Sequence, residues 1–445
     1  MSTFVGLAAI ESVAKGLREP AWLTELRRAA WRTHTQLPWP HSSDDIWRRT
    51  DVSRLDPGRG VTLAEPALLQ SLSMREAQVS ALTCPLGEES LLVRANGAWL
   101  VPPEVSGVTV EELAVAAQAR PEPIRALLES DGLLTDAERK LASLNAAFHH
   151  DDLVLRVPAG RTVERPVRLV RAWSVRDQQA IFPMTLITVG AGASVTLIEE
   201  SLSVAPPAPG ATQAETGCDP DHGPLINNRL ELVLEPDASV RYVRLQRWDA
   251  RAREFLLQRA TLAKGASLTM ANLTLGAALS KTHVVTRLMG PGASATISGF
   301  VFGHGRQHVD QHTLQDHQAP HTTSDLQYRA ALQDESRMVY TGLIRIAKAA
   351  TQTNAYQANH NLLLSRTARA ETIPMLEILA DDVQCKHGAS IGPVDDEQAF
   401  YLMSRGVPHE VAQRLLVMGF IEPVLQQIPF APLQERLREE IEGEL

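Results

Sequence analysis

The chain has 445 residues, of which 44% are apolar and 21% are charged, a composition typical of a globular protein with more than one domain. A net charge of −9 argues against a nucleic-acid binder, and no apolar run approaches the roughly 18 residues of a membrane span. The three cysteines, Cys84, Cys218 and Cys385, are far apart and odd in number, which argues against a disulfide framework and a zinc finger and predicts a reducing, cytoplasmic compartment.

Residues 1–140 are predicted to form a mostly helical N-terminal domain. Trp22 and Leu26 recur at helical spacing, after a proline that can start a helix (Pro20) and before one that stops it (Pro38).

Residues 141–390 are predicted to form a β-rich core. Short β-branched runs such as Leu153–Val157 and Met184–Val189 alternate with turns. A small-residue turn followed by serine and an apolar strand occurs four times, at Ser194, Ser239, Ser267 and Ser294.

The last two steps of this repeat are 28 and 27 residues, and the first is 45 because it contains a Pro/Gly-rich insertion, Val204–Pro224, which carries Cys218. No function is assigned to the insertion. A fixed period of short strands predicts a parallel β-helix or a related double-sheet solenoid. A β-sandwich is the competing prediction, although its strands rarely recur with the same turn residues.

Residues 391–445 are predicted to be helical again. One helix is expected to end at Gly419, and the last carries an apolar stripe of Leu433, Leu437 and Ile441. The stripe either covers the core or forms a docking face for a partner, and core packing is the preferred interpretation.

No phosphate-binding loop or dinucleotide fingerprint is present in the sequence. If nucleotide energy drives this protein, another subunit must bind the nucleotide.

Two segments contain residues typical of metal ligands. Cys385 and His387 are two apart and share a face of any strand, and thiolate and imidazole suit iron, zinc or copper. Two ligands do not complete a site, so either another chain supplies the rest or Cys385 is a buried structural cysteine beside a surface histidine.

The second segment holds five histidines and two aspartates. In a strand, His308, Asp310 and His312 would share one face, either as metal ligands or, as preferred, as hydrogen-bonding groups on the outside of a solenoid. A row of amides that includes Gln357, Asn359 and Asn361 is also assigned a structural role. The seven residues of the histidine-rich segment are His304, His308, Asp310, His312, Asp316, His317 and His321.

The C-terminal half resembles the SufB/SufD family of SUF-system iron–sulfur cluster assembly proteins. The N-terminal stretches PAWLTELRRAAWRTHTQLPWP and DDIWRRTDVSRL share the resemblance, which in total covers more than half of the chain. In the C-terminal half it is carried by the stretches HVDQHTLQDHQAPHTTSDLQY, SRMVYTGLIRIAKAATQTNAYQANHNLLLS and IPMLEILADDVQCKHGASIGPVDDEQAFYLMSRG. In the last stretch the chain has CKHGASIGPVDDEQAFY where the SufB branch has a different segment, so the SufD branch is favoured.

The resemblance implies a right-handed parallel β-helix between N-terminal and C-terminal helical regions. It implies a non-enzymatic scaffold that pairs with a SufB-like subunit through the β-helix and binds a SufC-like ABC-type ATPase through its C-terminal helices. His387 matches the family histidine implicated in assembling the nascent iron–sulfur cluster, which would be transient and shared at the interface, and Cys385 matches its neighbouring cysteine.

Two other functions stay open from the sequence. A homodimer could bind metal with Cys385 and His387 from both copies. A carbohydrate-active β-helix enzyme is opposed by the flanking helical regions and by the C-terminal signature.

Overall fold

The computed structural model describes residues 6–41, 43–44, 46–58, 61–64, 76–129, 134–204 and 223–445. The helices are α1 (Leu7–Gly16), α2 (Ala21–Gln36), α3 (Glu76–Thr83), α4 (Leu113–Ala119), α5 (Pro121–Leu128), α6 (Asp136–Phe148), α7 (Asp396–Ser404), α8 (His409–Leu425) and α9 (Ala431–Glu444), with a 3₁₀ turn at Val52–Leu55.

The strands follow in chain order. They are β1 (Thr62–Leu63), β2 (Ser90–Ala95), β3 (Ala98–Val101), β4 (Thr109–Glu112), β5 (Asp152–Val157), β6 (Val167–Trp173), β7 (Gln179–Ile181), β8 (Met184–Val189), β9 (Ser194–Ser203), β10 (Leu225–Leu234), β11 (Ser239–Arg247), β12 (Arg253–Leu262), β13 (Ser267–Thr274), β14 (Leu279–Leu288), β15 (Ser294–Gly303), β16 (His308–His317), β17 (Thr323–Leu332), β18 (Arg337–Ile346), β19 (Thr353–Leu363), β20 (Arg369–Ile378) and β21 (Val383–Pro393).

From β8 onward the strands alternate between two sheets. Each strand pairs in parallel with the strand two positions later, so β8, β10 and β12 through β20 form one sheet and β9, β11 and β13 through β21 form the other. The chain therefore winds as a parallel β-solenoid of about seven turns between residues 152 and 393. The predicted solenoid with flanking helices is confirmed, and the sandwich alternative is wrong.

The serine repeat marks equivalent positions of successive turns. Ser239 lies opposite both Ser194 and Ser267, and Ser267 lies opposite Ser294. The insertion that lengthens the first step connects β9 to β10, and most of it, residues 205–222 with Cys218, lies outside the described residues.

Strand alternation divides each solenoid strand into an inner and an outer face. In β11, Val240 and Tyr242 point into the core between the sheets, whereas Val243 and Leu245 belong to an outer cluster with the C-terminal helices. Because both faces are covered here, the central strands are buried along most of their length.

The N-terminal region covers the outer face of the β8–β20 sheet. Phe148 of α6 and Trp47 belong to one buried cluster with Phe255 of β12. Helix α2 lies between the two prolines as predicted. This part of the chain also contains strands β2 to β4, which extend both sheets beyond the solenoid.

The C-terminal helices pack on the outer face of the other sheet. Leu433, Leu437 and Ile441 of α9 are at most 1% exposed, so the predicted packing of this stripe against the core is confirmed.

The predicted helix end at Gly419 is wrong, because α8 continues to Leu425. A glycine costs a helix about 1 kcal/mol. Burying a single large aliphatic side chain gains about 1.5–3 kcal/mol. Ile421 and Leu425 are both fully buried beyond the glycine, so packing outweighs the local preference.

Among the described helices, none has the length and apolar character needed to cross a membrane.

Candidate functional site

Cys385 and His387 lie on β21, the last strand of its sheet. The strand pairs with β19, which places Cys385 opposite Ala355 and His387 opposite Gln357. The other long edge of β21 is a terminal edge of the sheet. The predicted strand conformation is thus present, and period-two alternation puts the thiol and the imidazole on one face.

That face continues the interior of the solenoid. Ala355 and Gln357, directly below in the preceding turn, are each only 1% exposed. One turn later, Cys385 is half-buried and His387 is exposed, because β21 ends its sheet. The open end of the solenoid therefore presents two inward-facing ligand types to its surroundings.

The thiol of Cys385 lies in apolar surroundings. It packs against a cluster that includes Ile344 and Ala355. Burial raises the pKa of the Cys385 thiol, so the protonated form is favoured in the isolated chain. A bound metal would supply the positive charge that a thiolate needs.

The ligand pair is incomplete within the described part of the chain. Groups of at least three His, Cys, Asp or Glu side chains with suitably close ligand atoms occur there at two places, and neither includes Cys385 or His387. Asp381 and Asp382 are exposed in the turn before β21. The backbone carbonyl of Asp382 accepts a 2.6 Å hydrogen bond from the backbone N–H of Gln352.

The central part of the histidine-rich segment forms β16, and His304 and His321 lie outside the strand. His308, Asp310 and His312 share the outer face, as predicted, but the N-terminal region covers that face. Asp310 accepts a 2.7 Å hydrogen bond from Lys281 on the neighbouring turn.

His317 points the opposite way, into the solenoid. Its Nδ1 and Nε2 lie 2.8 Å from the hydroxyls of Thr322 and Ser324, respectively. This pairing supports a structural role for His317.

The amide row is also structural, although its members mostly bond to the backbone. Gln357 Nε2 donates across the interior to the Gly342 and Met375 carbonyls at 3.2 and 3.3 Å. Asn359 Nδ2 donates to the Tyr328 carbonyl of the adjacent strand at 3.4 Å.

Sequence reasoning missed the partners that the N-terminal region brings to β14 and β16. Glu138 of α6 lies 2.6 Å from His283 Nδ1 and 3.7 Å from His312 Nδ1. Glu138 and His283 are 145 positions apart in the sequence, so no local spacing could indicate their contact. A signal for one of these contacts does exist in the sequence. His283 and His312 are 29 positions apart, close to the period of the serine repeat, which is the spacing of residues that lie opposite each other on adjacent turns.

Comparisons with known proteins locate the same part of the chain in one family. A family model described as "SUF system FeS cluster assembly, SufBD core domain" matches residues 172–420, which include the whole histidine-rich segment and β21.

Individual relatives extend the similarity to nearly the full length. The chain is 29% identical to an iron–sulfur cluster assembly SufBD family protein of Synechocystis, over 95% of this chain and 91% of the relative. It is 27% identical to the iron–sulfur cluster assembly protein SufD of Bacillus subtilis, over 97% and 96% of the two chains. A SufBD family protein of Mycobacterium leprae is 34% identical over 49% of this chain and 58% of its own.

Proposed function

Because this chain belongs to the SufBD family of SUF-system iron–sulfur cluster assembly proteins, we propose that it acts as a SufD-like scaffold subunit. It pairs with a SufB-like subunit through the open end of its solenoid and binds a SufC-like ATPase through its C-terminal helices. The nascent cluster is its cargo, the nucleotide belongs to the ATPase, and this chain is not itself an enzyme. The observation that carries the proposal is the pair of half-buried Cys385 and exposed His387 at the end of a solenoid that matches the family model.

The end strands support pairing with a second solenoid. Strands β20 and β21 are the last strands of the two sheets, and a terminal edge offers backbone groups to another strand. Leu376, Ile378 and Leu379 around this end are 38%, 40% and 60% exposed, and Ile391 is 43% exposed. A partner with a matching end would extend both sheets and cover these apolar side chains.

The same contact would complete the ligand set. A SufB-like partner docked on this edge would bring its own side chains to Cys385 and His387. Iron bound there would favour the thiolate of Cys385, against the burial that raises its pKa. A site shared between two chains can be opened by separating them, which suits a transient cluster.

An exposed apolar surface on α7 and α8 supports the ATPase contact. Phe400 and Tyr401 of α7 are 67% and 58% exposed, and Leu415 of α8 is 51% exposed. The opposite face of α8 is buried on the solenoid through Ile421 and Leu425. A partner bound to α7 and α8 would therefore be mechanically connected to the solenoid.

A homodimer is the second candidate, because the same open end can meet its own copy and bring two cysteines and two histidines together. The family match favours the heteromeric scaffold over the homodimer and over the carbohydrate-active enzyme.

Co-expression separates the two candidates. The chain is produced with the SufB-like and SufC-like proteins of its own genome, and the mass of the purified assembly is measured. A complex of one copy of this chain, one SufB-like chain and two ATPase chains supports the proposal. A homodimer that excludes the SufB-like chain would overturn it.

A further inference from the structure

A buried cluster far from β21 has the composition of a metal site. Glu138 of α6, His283 of β14 and His312 of β16 direct one ligand atom each to a common point. Glu138 Oε1 lies 2.6 Å from His283 Nδ1 and 3.7 Å from His312 Nδ1, and the two ring nitrogens are 3.4 Å apart. The three side chains are 3%, 0% and 6% exposed.

The spacing suits a tetrahedral transition-metal ion. Two ligands bonded to Zn²⁺ at 2.0–2.1 Å are about 3.3 Å apart in tetrahedral geometry. Two of the three sides of the triangle are already near that value. The third side is the 2.6 Å hydrogen bond between Glu138 Oε1 and His283 Nδ1. A tetrahedral metal ion bound by both atoms would increase their separation by about 0.7 Å.

The contacts of the Glu138 carboxylate include the two imidazoles, and within the described part of the chain no Lys or Arg side chain forms an ion pair with it. The nearby Lys281 ammonium is already paired with Asp310 at 2.7 Å.

The other cluster of ligand types in the described chain already has a cationic partner. It joins Glu19, His149 and Asp152, and the Arg27 guanidinium occupies it, 2.9 Å from His149 Nδ1 and paired with Glu19. A guanidinium thus already pairs with that cluster, whereas within the described part of the chain no Lys or Arg side chain pairs with Glu138.

Neighbouring groups hold the ligands in place. Glu138 Oε2 accepts hydrogen bonds from the amide and the hydroxyl of Thr135 at 2.7 and 2.8 Å, which fixes the carboxylate. Trp47 stacks on the His283 ring at a centroid distance of 5.2 Å, and the β14–β16 register sets His283 opposite His312. Such outer contacts are what orients metal ligands in proteins.

The His283 ring can release Nδ1 to a metal. In the metal-free chain the Glu138 carboxylate, which only accepts hydrogen bonds, holds a proton on Nδ1, whereas Nε2 is buried and makes no hydrogen bond within the described part of the chain. Moving that proton to Nε2 leaves the Nδ1 lone pair for coordination.

We propose that Glu138, His283 and His312 form a binding site for a divalent transition-metal ion, which joins the N-terminal region to the solenoid. Two imidazoles and one carboxylate select zinc or iron(II) over calcium and magnesium. The site is independent of the cluster cargo at Cys385 and His387.

Cobalt(II) is the probe, because its visible absorption reports the ligand geometry. The purified full-length chain is stripped with a chelator and titrated with Co²⁺, and then Zn²⁺ is added in competition. We expect one Co²⁺ per chain, visible d–d absorption that Zn²⁺ abolishes, and a metal-dependent rise in melting temperature.

Two ligand variants and two controls identify the site. Glu138→Gln keeps the helix cap, since glutamine also serves in a capping box, but removes the charge. It and His312→Gln should weaken Co²⁺ binding by more than about tenfold. His308→Gln, on the same strand, and the double variant Cys385→Ser/His387→Ala should leave the absorption unchanged. Circular dichroism verifies that each variant is folded.

Three results would overturn the proposal. They are the absence of Co²⁺ absorption in the stripped wild-type chain, wild-type Co²⁺ affinity in both Glu138→Gln and His312→Gln, and loss of the absorption in the Cys385→Ser/His387→Ala variant. In the first case the cluster is a hydrogen-bonded group that carries no metal.

Discussion

Lys281 and Asp310 form an ion pair of 2.7 Å in which both side chains are completely buried. They lie opposite each other on adjacent turns of the solenoid. The pair is sealed by the N-terminal segment, from which Ile46 offers its carbonyl to Lys281 and Thr50 donates its hydroxyl to Asp310.

Asp310→Ala should destabilise the protein by about 3–5 kcal/mol, because it leaves the Lys281 ammonium buried without its partner. Urea unfolding followed by circular dichroism measures the loss. The surface pair Arg306–Glu335, at 3.6 Å with both side chains mostly exposed, provides the control, and Glu335→Ala should change stability by less than about 1 kcal/mol. Equal losses in the two variants would contradict the argument from burial.

The apolar stripe of α9 stabilises the C-terminal region. Leu437 is fully buried between α9 and the solenoid, so Leu437→Ala should cost about 2–5 kcal/mol of unfolding free energy. Leu415→Ala on α8 is the matched control. The Leu415 side chain is 51% exposed, so its truncation should lower the unfolding free energy by less than about 0.5 kcal/mol. If Leu437→Ala proved as mild as Leu415→Ala, α9 would not be held by this stripe.

The exposed surface on α7 and α8 should bind the ATPase partner. The double variant Phe400→Ala/Tyr401→Ala should weaken that interaction by more than about tenfold, since exposed aromatics of this kind commonly dominate an interface. Binding is measured by titration calorimetry with the purified ATPase subunit, and the melting temperature should not change. Unaltered affinity would place the ATPase contact elsewhere.

His387 should be required for cluster assembly and not for folding, because its imidazole is exposed at the open end. His387→Ala should keep wild-type stability and partner binding while iron and sulfide incorporation into the complex falls by at least about tenfold, the loss typical of a missing ligand. His321→Asn is a suitable control, because His321 is exposed in a turn with a φ of 58° that asparagine tolerates. An unfolded His387→Ala chain would show instead that the histidine is structural.

His317 should make the protein sensitive to acid. Burial lowers its pKa from the usual 6.5 to about 4, so between these values the unfolded chain binds more protons than the folded chain, and stability falls as the pH falls. His317→Gln should reduce that slope by up to about 1.4 kcal/mol per pH unit. Unfolding free energies at pH 8 and across pH 6.5 to 4 test this, and the two proteins should differ in slope only in the acidic range. Parallel curves over the whole range would contradict it.

The sequence by itself determined the repeat. The nearly equal spacing of Ser239, Ser267 and Ser294 indicated which residues lie opposite each other, because parallel strands of a solenoid stack at a nearly constant period. It also determined that Cys385 and His387 share a face, since that relation follows from strand geometry alone. The apolar stripe of α9 could also be predicted, because it follows from the periodicity of a single helix.

Tertiary structure decided everything that depends on what covers a surface. The exposure of His387 follows from the end of the sheet at β21, and the burial of Asp310 follows from the N-terminal segment that closes over β16. The length of α8 beyond Gly419 was set by its packing on the solenoid, which exceeds the local cost of glycine. Glu138 meets His283 and His312 only because α6 folds onto the sheet from a distant part of the chain, and local periodicity carries no information about such a contact.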